Sequence, residues 1–97
     1  MSDGDIYEVK VYEVKETTKK AVRVIIRVII DGIDTKKIDV WLPKSQVSME
    51  GNAILIPAWL VQAKVDEISS NMGTEIGIVA MNRETSQVHT FKTGGGG

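Results

Sequence analysis

Cysteine is absent from the chain. Disulfides, thiolate zinc sites and cysteine nucleophiles are thereby excluded. A chain with no disulfide framework fits a reducing compartment, so a cytoplasmic location is expected. Histidine occurs once, as His89 between Val88 and Thr90. No acid lies near it in sequence to orient it, and a metal site needs three or four ligands. Glycine-rich phosphate loops are missing, since Gly51, Gly73 and Gly77 stand alone. Ser45 and Ser48 lie in no nucleophile elbow. Asp31, Asp34 and Asp39 flank Gly32 without the spacing of a calcium loop. The sequence therefore predicts no catalytic residue, no metal and no cofactor. Long apolar runs are also lacking. Val24-Ile25-Ile26 and Val28-Ile29-Ile30 are each interrupted by arginine or aspartate, so nothing approaches a membrane span. The start, Met1-Ser2-Asp3-Gly4-Asp5, is acidic and polar, unlike a signal peptide.

What is present favours strands. Valine and isoleucine supply 12 residues each. Hydrophobic content of 42% excludes disorder for the body of the chain. At 97 residues a single domain is expected, over residues 6–92. Residues 1–5 and the glycine tail 93–97 are expected to be flexible.

The tandem repeat Tyr7-Glu8-Val9-Lys10-Val11 and Tyr12-Glu13-Val14-Lys15-Glu16 has a period of five, which suits neither strand nor helix. One extra residue near Val11 restores the strand face, so a β-bulge is predicted there. Ala21 to Ile30 is the clearest strand. It puts Val22, Val24, Ile26, Val28 and Ile30 on one face, and Arg23, Ile25, Arg27 and Ile29 on the other. Asp31 to Thr35 is a turn, and Lys36 to Leu42 a return strand stopped by Pro43. Pairing Val28 with Ile38 and Ile26 with Val40 aligns both apolar faces and sets Arg27 opposite Asp39. Two short strands follow, Gln46–Met49 and Ala53–Ile56. Pro57 opens a helix that runs to about Ser70 and ends at Gly73. Strands at Glu75–Met81 and Gln87–Lys92 complete the chain. The predicted fold is mainly β with one helix, a small OB-like barrel or a strongly curved antiparallel sheet.

That element order, over residues 6–92, resembles the OB-fold: a three-strand meander, a helix, then two strands. A second resemblance is local. Trp41-Leu42-Pro43-Lys44-Ser45-Gln46, followed by Pro57-Ala58-Trp59-Leu60, is similar to a segment of small accessory proteins of phages and mobile elements. That resemblance implies a genome-maintenance context.

Both tryptophans fall off their own apolar pattern. Trp41 shares a strand face with Lys37 and Asp39, not with Ile38, Val40 and Leu42. Trp59 points away from the helix stripe Ala58, Val61, Val65, Ile68. A large aromatic off the core face either caps a core edge or awaits a partner. The net charge of −1 gives no global attraction to nucleic acid, but the charges are unevenly placed. Residues 17–44 hold seven bases against three acids, between two acidic flanks. Alternation for solubility alone gives a similar pattern. Single-strand binders set aromatic rings beside cations, so that bases stack while phosphates are neutralised. Arg23, Arg27, Lys37, Trp41 and Lys44 fit that description, with Trp59 as a second aromatic. The function expected is a non-catalytic module for single-stranded DNA or RNA. The rival is protein assembly: Ile25 and Ile29 make the same face half apolar, and a homodimer would bury them.

Overall fold

The computed structural model describes residues 4–94. Residues 1–3 and 95–97, most of the two ends expected to be flexible, lie outside the described residues. Asp5 and Thr93, counted among those ends, are tied to the body. The Asp5 carbonyl accepts from the Ala58 N–H at 2.8 Å, and the Thr93 N–H donates to the Ile76 carbonyl at 3.0 Å. The elements are β1 (Ile6–Lys10), β2 (Glu13–Thr17), β3 (Ala21–Ile30), β4 (Asp34–Pro43), β5 (Ser48–Glu50), β6 (Ala53–Pro57), α1 (Ala58–Met72), β7 (Ile76–Asn82) and β8 (Val88–Lys92). The protein is mainly β with one helix, and its antiparallel sheet curls into a half-barrel.

The curl comes from strands that change partners. β3 pairs with β4 over its whole length. Its other edge meets β2 near its start and β7 at Ile29 and Ile30. β7 carries β8 on one edge, and on the other meets β3 at Ile76–Gly77 and β1 at Met81–Asn82. β1 continues the sheet to β6 and then β5. β1 and β2 act as one long strand broken at Val11 and Tyr12. There the Val11 N–H donates to the Asn52 carbonyl and the Tyr12 N–H to the Ile25 carbonyl, both at 2.8 Å. The chain thus crosses between the two halves of the sheet. The bulge predicted near Val11 is a bend instead, and the pairing irregularity falls between Val14 and Glu16. Among the described residues β4 pairs with β3 alone, so the barrel stays open along β4.

The concave side holds the core. Tyr7, Val9 and Val11 are buried there, with Val22, Val24, Ile26 and Val28 from β3 and Val40 and Leu42 from β4. α1 covers them with Ala58, Leu60, Val61, Val65 and Ile68. Each full burial of this kind is worth about 1.5–3 kcal/mol, so packing rather than capping holds the helix. No side chain caps its N-terminus: Pro57 precedes the first turn with extended backbone, φ −69° and ψ 149°, and has no side-chain acceptor. Gly73 ends it at φ 70°, donating its N–H to the Ser69 carbonyl at 2.8 Å. The core leaves a void of about 10 Å³, marginal even for one water.

The β3–β4 register is two residues tighter than expected. Ile26 pairs with Ile38 and Val24 with Val40, which sets Arg27 opposite Lys37, Arg23 opposite Trp41 and Ile25 opposite Asp39. The turn explains the difference. Asp31 and Gly32 both take positive φ, 53° and 74°, and the Ile33 N–H donates to the Ile30 carbonyl at 3.1 Å. Consecutive positive φ at Asp-Gly is the tight hairpin conformation that matches strand twist. Thr74 and Glu75 anchor it: the Thr74 hydroxyl donates to the Asp31 carboxylate, and the Asp31 N–H to the Glu75 carbonyl. Strand pattern cannot discriminate between these registers, because a two-residue slip leaves every side chain on its own face.

Candidate nucleic-acid interface

The convex face of β3 and β4 carries the residues singled out from the sequence. Trp41 is 41% exposed and Trp59 45% exposed, so both rings lie off the core as their face parity predicted. Across the hairpin the outward pairs run Arg23–Trp41, Ile25–Asp39, Arg27–Lys37 and Ile29–Thr35. Ile25 and Ile29 are half-buried, between the full exposure of a solvent face and the burial of a core.

Arg23 is neutralised where it stands. Its guanidinium lies 3.2 Å from the Asp39 carboxylate and 3.3 Å from Glu16 of β2. The same guanidinium sits 5.7 Å from the centre of the Trp41 ring. Of the sequence-predicted cations, then, Arg23 positions Trp41 and has little charge left for a phosphate. Arg27 and Lys37 differ. Facing each other across the strands, they converge on Tyr12, at 5.2 and 4.5 Å from its ring centre. Lys10 approaches the same ring at 4.9 Å. None of the three has a carboxylate within ion-pair reach among the described residues. The two electron-rich faces of Tyr12 are shared among them, each contact worth up to about 0.5–1 kcal/mol at an exposed site. Beside the ring is a hollow of about 380 Å³, with Val9, Ile29 and Val79 as its apolar lining and Thr35 at its margin.

Lys44 lies just past β4, its N–H donating to the Lys20 carbonyl at 2.9 Å. This brings the Lys19-Lys20 turn beside it, at the Trp41 end of the hairpin. Trp59 is on the first turn of α1 and has no ring or cation partner among the described residues. Tyr7 is buried, edge-on to Phe91 at 5.0 Å, and His89 meets Phe91 at 4.6 Å. Arg83 closes the far side: it holds Glu8 and Glu50, 2.7 Å from the latter, and those carboxylates raise its pKa above the usual guanidinium value.

Lys10 and Tyr12 are the residues that sequence reasoning missed. The signal was available for Tyr12. It lies off the Tyr7, Val9, Val11 face just as Trp41 lies off its own. Lys10, two residues before Tyr12, shares its face by strand alternation, but the meeting of that pair with Arg27 and Lys37 is a long-range contact with no local signal.

Together the fold and this face define a small half-barrel β domain with a basic, aromatic convex surface. Comparison with protein-family models, with curated proteins and with solved structures finds no match.

Proposed function

We propose that the protein is a non-catalytic module that binds single-stranded nucleic acid along the convex β3–β4 face. One observation carries the reading: the rings of Trp41 and Tyr12 share a face with Lys10, Arg27 and Lys37, three cations that have no acidic partner among the described residues. Lys20 and Lys44 extend the cationic line beyond Trp41. Trp41 and Lys37 are four residues apart on one strand, about 13 Å. A flexible strand can therefore stack a base on one ring and bring a phosphate to the far cluster. A duplex cannot, because its bases are already stacked. Stacking on one ring is worth about 1–3 kcal/mol per base.

The test is a fluorescence titration with oligo-dT, oligo-U and a duplex of equal length, at low and moderate salt. Single strands bind more tightly than duplex, affinity falls with salt as counterions are released, and Trp41 emission is quenched. The quench disappears in Trp41→Phe and survives in Trp59→Phe. Absence of binding by either single strand at low salt refutes the reading.

The unpaired edge of β4 supports a second reading, a homodimer. Among the described residues its ten residues of backbone pair with β3 alone, and such edges recruit further strands. Sedimentation velocity at high concentration distinguishes the readings: a 10.6 kDa species alone removes the dimer.

A further inference from the structure

Resting on the single-strand reading, we propose that the hollow beside Tyr12 seats a phosphate monoester, the phosphorylated end of a bound strand. Three observations converge on it. The first is charge. Lys10, Arg27 and Lys37 surround one ring, so no two are more than about 10 Å apart, roughly one Debye length at 0.1 M salt. A diester within a strand offers one negative charge, whereas a monoester approaches two at neutral pH. Lys10 and Arg27 line the hollow and match the second, and Lys37 adds a third cation at the Tyr12 ring; none of the three has an acidic partner among the described residues. Arg27 brings a planar fork suited to phosphate oxygens, and the two lysines act as point charges beside it.

The second observation is shape. The hollow of about 380 Å³ lies at the small end of the range of ligand pockets, on an apolar lining of Ile29 and Val79. Val79 is 47% exposed, an apolar surface on which a terminal base can rest. The third is position. Ile29–Thr35 is the last outward pair before the hairpin turn at Asp31–Ile33. A strand that runs from Lys44 past Trp41 therefore reaches the hollow where the convex track ends.

The experiment measures anisotropy of a ten-nucleotide oligo-dT in three forms: no terminal phosphate, 5′-phosphate, and 3′-phosphate, each labelled at the other end. One phosphorylated form binds about ten-fold more tightly, the equivalent of one charge-assisted hydrogen bond. That gain vanishes in Lys10→Gln and in Lys37→Gln, both exposed positions where folding tolerates the change. Trp41→Ala weakens all three forms and keeps the gain. Equal binding of the three forms overturns the phosphate seat and leaves the single-strand reading standing. A gain that survives in both lysine variants overturns it as well, because the phosphate then sits elsewhere. Competition by free thymidine monophosphate at the concentration of the phosphorylated strand shows a free-nucleotide pocket and overturns the strand-end assignment. If no form binds, the single-strand reading fails and the seat fails with it.

Discussion

Lys37→Glu separates binding from stability by moving them in opposite directions. In the wild type Lys37 faces Arg27 across the hairpin, a like-charge pair on an exposed sheet face. Opposed like charges destabilise by a few tenths of a kcal/mol, and opposite charges stabilise by about 0.2–1 kcal/mol. The substitution removes the repulsion and creates an attraction. It also loses the approach of Lys37 to Tyr12, worth about 0.5 kcal/mol at an exposed site. The net is a gain of about 0.5 kcal/mol, which raises Tm by about 2–4 °C in a domain of this size. Binding moves the other way. The local charge falls by two, and each charge about 6 Å from a phosphate in a water-like dielectric is worth about 0.7 kcal/mol. Affinity for single strand therefore drops about ten-fold at low salt. Thermal unfolding by circular dichroism and anisotropy titration on one preparation read both effects. Raising the salt erases the stability gain, since exposed pairs are screened. A lower Tm, or an affinity that does not change, refutes the assignment of Lys37 to a phosphate-facing cluster.

Other perturbations probe separate parts of the molecule. Asp39→Asn removes one of the two carboxylates beside Arg23 and leaves Glu16 in place, so single-strand affinity rises about three-fold from the loss of one negative charge on the face. Trp41→Ala lowers affinity by about 1–3 kcal/mol in the same titration and leaves urea stability nearly unchanged, because the ring lies off the core. Val61→Ala, inside the helix–sheet core, costs about 2 kcal/mol in urea unfolding, whereas Ile33→Ala at 85% exposure changes stability by less than about 0.5 kcal/mol. Gly77→Ala brings a methyl to 3.3 Å from Thr90 Cγ2, so that side chain must give by a few tenths of an ångström, while the 3.6 Å approach to Ile29 Cβ is ordinary contact. The change in stability stays within about 1 kcal/mol, checked by the urea midpoint.

Local pattern predicted much of this fold, and its failures have specific physical causes. β3 spans Ala21–Ile30 as read, since five alternating apolar residues and two flanking turns leave little freedom. Pro57 and Gly73 mark the helix ends through their own backbone preferences, although the last turn runs on to Met72. Pattern placed both tryptophans off the core: Trp41 because side-chain direction alternates along a strand whatever its partner, and Trp59 because it lies off the apolar stripe that repeats about every 3.6 residues along α1. The bulge was misplaced for a different reason. The repeat signals that a face must change, but hydrogen bonds from Val11 and Tyr12 to distant Asn52 and Ile25 decide how. Arg23 looked available in the sequence, and only strand pairing brings Glu16 and Asp39 to it. The convergence of Lys10, Arg27 and Lys37 on Tyr12 depends on the same long-range crossing.

The cluster that carries the functional reading is a consequence of the hairpin turn. With the wider register, Arg27 would face Asp39 and be neutralised, and the convex face would alternate in charge. Asp31 and Gly32 instead adopt the tight conformation, held by Thr74 and Glu75, and the strands close two residues further in. The like charges of Arg27 and Lys37 are then set opposite each other. A register chosen for the pair's own stability would not do this. Tyr12 relieves part of the repulsion, and the bend that delivers Tyr12 also delivers Lys10, a third cation. Asp39, the available acid on that face, is occupied with Arg23 one pair further along. Turn, bend and ion pair thus act together to concentrate unmatched positive charge beside an apolar hollow, while the rest of the chain keeps the overall charge near neutral. An anion bound there contributes favourable energy that the protein's own side chains leave unused, which is the physical ground for reading this face as a binding surface.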